Sequence, residues 1–181
     1  MGVQVIDVKN DGEWDLFMTH VRDESNTFYS GKAGTFSDRT AVTGLGNTSM
    51  RYTGFGMGFH DFDLDGRLDL FIANGGVTLF RPLMREDMPY AEPNQLYRGD
   101  GGGKFTELDG PTEESLISIS RAAAFGDIDN DGDVDIVYID NRERAKLLEN
   151  NAPKRGGWVG FRLFDSRGSD ALGAVVRVQL E

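Results

Sequence analysis

The sequence predicts an all-β chain built from about three copies of one repeat. Three observations predict it. Windows of twelve residues beginning at Asp7, Asp61 and Asp127 align without a gap. Each window closes on an apolar, β-rich run. A second shared segment, strand–Gly-rich turn–strand, follows the first two copies. No segment shows the apolar periodicity of an amphipathic helix.

The windows read DVKNDGEWDLFM, DFDLDGRLDLFI and DIDNDGDVDIVY. Position 1 is Asp7, Asp61 or Asp127; position 5 is Asp11, Asp65 or Asp131; position 9 is Asp15, Asp69 or Asp135. Position 6 is always Gly, where a sharp turn with positive φ costs little. Positions 2, 8, 10, 11 and 12 are apolar in every copy. The run after the loop is apolar on both faces, which fits a strand packed between two layers, and the innermost strand of its unit. NTFYSGKAGTF (26–36) and NQLYRGDGGGKF (94–105) are the matching hairpins, and AKLLENN (145–151) is the weaker third. Residues 80–93 hold three prolines and read as a surface insertion with at most a helical turn. Trp14 and Trp158 read as core, and WVGFRLF with GAVVRVQL as a C-terminal hairpin.

Aspartates at positions 1, 3, 5 and 9 place oxygens around one point. Four like charges so close need a counter-charge. The backbone carbonyl of position 7, Arg67 or Asp133, adds a further oxygen. Such a hard, all-oxygen cage suits Ca2+, whereas Mg2+ prefers strict octahedral geometry and keeps its waters. Softer metals want Cys or His, and the chain has no Cys and two His. The expected ligands are Asp61, Asp63, Asp65, Arg67 (carbonyl) and Asp69 for one ion, and Asp127, Asp129, Asp131, Asp133 (carbonyl) and Asp135 for another. An EF-hand is excluded, because position 12 is Met18, Ile72 or Tyr138 rather than Glu. The first copy has Lys9 at position 3. There, Asp7, Asp11, Glu13 (carbonyl) and Asp15 either hold metal weakly or pair with the lysine ammonium in its place.

Composition narrows the function. A formal charge of -11 over 181 residues argues against nucleic acid and anionic membranes as partners. With no Cys, disulfides and thiol chemistry are excluded. No apolar run approaches the roughly 18 residues of a membrane-spanning helix, and the N-terminus lacks the basic and apolar regions of a signal peptide. GDGGGK (99–104) departs from a phosphate loop at Arg98 and Phe105. No nucleophile–base pair stands outside the acidic loops, so a non-enzymatic module is expected. The alternatives are a fibre or coat subunit completed by neighbouring chains, and part of a propeller hydrolase or lyase.

The loops resemble the FG-GAP/VCBS calcium repeats of integrin-α-like β-propellers. GFGMGFHDFDLDGRLDLFIANGGV, EPNQLYRGDGGGKFTEL and SRAAAFGDIDNDGDVDIVYIDNRERAKLLENN, with GGWVGFRLFDSRGSDALGAVVRV, are similar to cartilage acidic protein-like bacterial proteins with a C-terminal ASPIC/UnbV segment. The tail departs from that family, which carries Asn-Arg before Ala-(Ile/Leu)-Gly-Ala; here Ser169-Asp170 precede Ala171. The resemblance implies propeller blades over 1–152, an ASPIC/UnbV-like start over 153–181, structural calcium, secretion or cell-surface location, and adhesion or ligand binding to a protein or glycan. A closed propeller takes about 4–8 blades. Three repeats imply an open or incomplete one, prone to self-association as an oligomer or filament.

Overall fold

The structure is a computed structural model that describes residues 1–79, 86–108 and 116–179. Three antiparallel sheets follow one another along the chain. The first runs β1 (Val3–Ile6), β2 (Asp15–Met18), β3 (Thr27–Lys32), β4 (Thr35–Asp38) in that spatial order. The second runs β5 (Gly54–His60), β6 (Asp69–Asn74), β8 (Gln95–Gly99), β9 (Phe105–Glu107). The third has three strands, β11 (Ser120–Gly126), β12 (Asp135–Asp140) and β13 (Lys146–Leu148). Each acidic loop joins the first strand of a sheet to its second, and the expected hairpins supply β3–β4 and β8–β9. The arrangement is an open, propeller-like stack of repeats.

Alternation along β6 explains why its sequence is apolar throughout. All six of its residues are buried. Leu70 and Ile72 enter a core shared with Phe17, Phe28, Phe59, Tyr97 and Phe105. Phe71 and Ala73 point the other way, into a core with Phe62, Ile136 and Tyr138. Phe17 and Phe59 meet edge-on at 5.3 Å, which ties the first sheet to the second. A strand alternates faces at every residue, so one strand between two sheets must be apolar on both.

The post-loop strand is not innermost in its sheet. The first strands, β1, β5 and β11, take the positions where neighbouring sheets converge. A Cβ on Gly2 would lie 2.6 Å from the Phe55 carbonyl oxygen, and one on Gly56 2.3 Å from the Ala123 nitrogen. Such backbone approach requires small residues, and β5 and β11 supply Gly54, Gly56, Gly58, Ala122, Ala123 and Ala124. A bulge in β5 between Gly54 and Met57 adjusts the register there.

Other expectations are corrected. Two short helices, α1 (Thr40–Thr43) and α2 (Leu45–Ser49), close the first repeat, with Gly44 between them at φ 84°. Four or five residues are too few for a readable period. Part of the 80–93 insertion, 80–85, lies outside the described residues. The rest returns to the interior as β7 (Glu92–Pro93), paired with β10 (Ile117–Ser118). Glu92 is buried, bonded to Arg22 and to the Thr53 N–H. Trp14 and Trp158 are 62% and 56% exposed, not core. Among the described residues, the C-terminal hairpin comes together at one bridge, Phe164 with Asp170. Its apolar side chains stay exposed, Leu172 at 96%, and an isolated two-stranded ribbon is marginal.

Gly56→Ala should lower stability by about 1–3 kcal/mol, the usual cost of overpacking. Thermal unfolding checks it; an unchanged melting temperature would contradict the contact between first strands.

Candidate metal centre

Each loop is held by one hydrogen-bond pattern, repeated three times. The position-1 carboxylate accepts from the N–H groups of positions 5 and 6: Asp7 from Asp11 (3.0 Å) and Gly12 (2.7 Å), Asp61 from Asp65 (3.0 Å) and Gly66 (2.8 Å), Asp127 from Asp131 (3.1 Å) and Gly132 (3.0 Å). The position-5 carboxylate accepts from the position-7 N–H in every copy. Position 4 adopts positive φ, at Asn10 (52°), Leu64 (54°) and Asn130 (63°), and so does the position-6 glycine. Asn tolerates this conformation better than Leu.

The position-9 aspartate is an anchor. Asp69 Oδ2 accepts from the Phe62 N–H (3.2 Å) and Oδ1 from the Gly99 N–H on β8 (3.0 Å). Asp15 does the same with Val8 and Gly31, and Asp135 with Ile128 and Asn150. Each of the three is buried. Burial pushes the Asp69 carboxyl up to about 6; its two N–H donors pull it down, while Asp63 and Asp65 push it further up.

The structure brings two of the expected ligand sets together in part. Asp61, Asp63 and Asp65 each offer an oxygen within 4.8 Å of the others, as do Asp127, Asp129 and Asp135. Asp69 and Asp131 are not members of these triads: Asp69 accepts two amide N–H groups, as Asp135 also does, and Asp131 pairs with Lys154 at 2.5 Å. In the first loop, the Lys9 ammonium lies 2.8 Å from Asp11 and donates to the Ser30 hydroxyl. The Asp11 hydrogen bond, with the charges of Asp15 and Asp7, holds Lys9 above its ordinary range.

The donor set fits a hard cation. Asp63 is 7% exposed, and neither of its carboxylate oxygens takes part in a hydrogen bond. A buried carboxylate in that state is costly unless a charge meets it. Within the chain, Arg155 Nε approaches to 3.1 Å and Arg98 to 3.5 Å. The carboxylate oxygens of Asp133, 1% exposed, are likewise without a hydrogen bond, with Lys154 at 3.4 Å; burial raises its carboxyl.

Sequence reasoning missed the segment that crosses these loops. Asn150 Nδ2 donates to the carbonyls of Phe62 (2.7 Å) and Val134 (3.3 Å), so one side chain spans loops two and three. The Arg155 N–H donates to the Asp63 carbonyl (2.8 Å). The Trp158 indole lies on Gly132, where a Cβ would fall 1.9 Å from Nε1. The Asn-Asn-Ala-Pro-Lys-Arg string was the available signal, but nothing in its spacing announces the contact.

A sequence model of the FG-GAP-like repeat matches residues 7–72 and 61–138. The chain belongs to the FG-GAP-like repeat family. Each match spans two acidic loops, so the FG-GAP-like unit includes the loop-to-loop connection as well as the loop. No curated protein matches the sequence.

In metal-free protein, the raised Asp69 sets a pH dependence. Its folded value of about 6 exceeds the ordinary ~3.9, so the folded chain takes the proton first. Stability should therefore rise as pH falls from 7 through 6 towards 4, by on the order of 2 kcal/mol. Below about pH 4, carboxylates held low by their partners (Asp11 by Lys9, Asp100 by the Lys104 N–H, Asp131 by Lys154) reverse the trend. Chelator-treated protein melted across this range checks it; a monotonic fall from pH 7 would contradict it.

Proposed function

We propose that this chain is a calcium-binding, non-enzymatic β-repeat module of the extracellular space, serving adhesion, ligand binding or self-assembly. One observation carries the metal reading: Asp63, buried and without a hydrogen bond on either oxygen, beside Asp61 and Asp65. On binding, the Arg67 carbonyl and Asp69 turn in to complete that cage. Asp127, Asp129 and Asp135, with Asp131 released from Lys154 and the Asp133 carbonyl, form the other. A bound dication supplies two positive charges to each cluster and offsets its self-repulsion. In the first loop, the Lys9 ammonium takes this role among Asp7, Asp11 and Asp15, and the Glu13 carbonyl holds no ion. Extracellular calcium modules work with Kd about 10⁻⁴–10⁻³ M, which suits loops in which Lys154 and Arg155 reach the same oxygens.

The non-enzymatic reading rests on the histidines. His60 is packed beside Phe125, ring centres 4.6 Å apart, and burial lowers its pKa. His20 lies between Glu24 and Thr27, bonded to both. No helix of the described residues is long and apolar enough to cross a membrane. The likeness of 153–181 to an ASPIC/UnbV segment, and of the chain to cartilage acidic protein-like proteins, belongs to this same reading.

Assembly with neighbouring chains is the second reading, favoured by the outer faces of the end sheets. Val3 and Val5 on β1 are 64% and 57% exposed, and Ile139 and Leu147 on the third sheet 50% and 52%. In a stack, such faces pack on a further sheet.

Calorimetric titration should count two calcium ions per wild-type chain and three in Lys9→Asp. Three ions in the wild type would overturn the role given to Lys9, and none would overturn the metal reading.

A further inference from the structure

We infer that the cleft between the first and second repeats is a binding site for an anionic saccharide, one bearing sulfate or carboxylate groups. The inference extends the ligand-binding part of the proposed function and rests on that part, not on the metal. Four of the chain's 19 lysines and arginines line this one cleft of about 380 Å³: Lys9, Lys32, Arg39 and Lys104. They come from four separate elements. Lys9 belongs to the first acidic loop, Lys32 to the end of β3, Arg39 to the turn before α1, and Lys104 to the turn before β9. In a chain of formal charge -11, such a concentration of one sign needs a reason.

Lys32, Arg39 and Lys104 make no ion pair among the described residues, whereas Lys9 is held by Asp11. The carboxylates in the adjoining turns are already engaged. Asp11 takes Lys9 and the Glu13 N–H, Asp38 takes the Thr40 N–H, and Asp100 takes the Gly102 and Lys104 N–H groups. Ser30 and Ser37 also line the cleft, so hydroxyl-bearing side chains that can meet sugar hydroxyls stand among the cations. The volume lies in the range of small-ligand sites. Cations spread round a concave wall suit a compact molecule with separated oxyanions. A long polyanion such as nucleic acid would meet repulsion from the rest of this acidic surface.

Lys9 links the cleft to the departure of the first loop. Its stem lies 3.9 Å from a Cβ position on Gly103, in the hairpin of the second repeat. Where loops two and three carry an aspartate, loop one places a cation at the seam between repeats.

The test uses the full chain in millimolar calcium. Calorimetry would be run with a sulfated disaccharide, a uronate-containing disaccharide, inorganic sulfate alone and an uncharged disaccharide. Saturable binding of at least one charged disaccharide is expected, with weaker binding of inorganic sulfate and none of the neutral sugar. Affinity should fall about tenfold or more in Lys32→Ala/Arg39→Ala/Lys104→Ala and with rising salt. All three residues are exposed, and the melting temperature of the variant confirms that it folds. No saturable binding, equal binding by the variant, or sulfate alone matching the disaccharides would each overturn the proposal. A melting temperature unresponsive to calcium would instead fault the metal reading and leave this result standing.

Discussion

Three buried aspartates hold the architecture together. Asp15, Asp69 and Asp135 each accept an N–H from the loop before them and another from the strand beyond their own or, for Asp135, from Asn150 just past that strand. Each therefore joins the acidic loop, the central strand and the next strand of the sheet at one corner. A carboxylate bonded in this way makes charge-assisted hydrogen bonds, about twice as strong as neutral ones. It also brings a full negative charge to a buried place, next to loops already lined by acids. The fold gains its corners at the expense of a charge problem, and the loops are where that problem is met.

The loops solve the geometry before any charge is balanced. The position-1 carboxylate satisfies two amides, and positive φ at positions 4 and 6 bends the chain around it. What remains is electrostatic. Lys9 answers it in the first loop, and Arg98, Lys154 and Arg155 approach the oxygens of the other two. These cations only partly answer it, since Asp63 and Asp133 keep both oxygens without a hydrogen bond. Ion pairs half in water contribute little, whereas a dication held by several oxygens addresses the whole cluster at once. Lys9 marks the divergence: the same loop carries an ammonium where the other two carry an aspartate, and turns a positive charge towards the second repeat.

Much of this was legible in the sequence because the signals were strong and repeated. The period of the acidic loops, the double-sided apolar run from Leu70 to Ala73 and the Gly-rich hairpins all come from local rules, and three copies reinforce each. What was not legible depends on where repeats meet. That the first strands converge is visible only once Gly56 is set against Ala123. The exposure of Trp14 and Trp158 could not be read, because an aromatic residue in a strand context reads as core until its neighbours are known. Glu92 looked like part of a surface insertion, yet it is buried against Arg22, seventy residues away in the chain. Asn150 and Arg155 act on loops far from their own position. In the candidate site, residue types were readable but their division of labour was not: position 9 anchors the backbone in every copy, and positions 1 and 3 join the oxygen cluster in loops two and three, with position 5 in loop two and position 9 in loop three.

The central claim is that loops two and three hold more negative charge than their own cations balance, and that a hard dication completes the fold. Thermal unfolding of the same preparation in millimolar calcium and in excess chelator tests it most directly. A ligand bound only by the folded state must raise the melting temperature as its concentration rises. A clearly higher melting temperature is expected in calcium, with the gain lost when Asp61 and Asp127 are both replaced by Asn. Identical melting in calcium and chelator would contradict it.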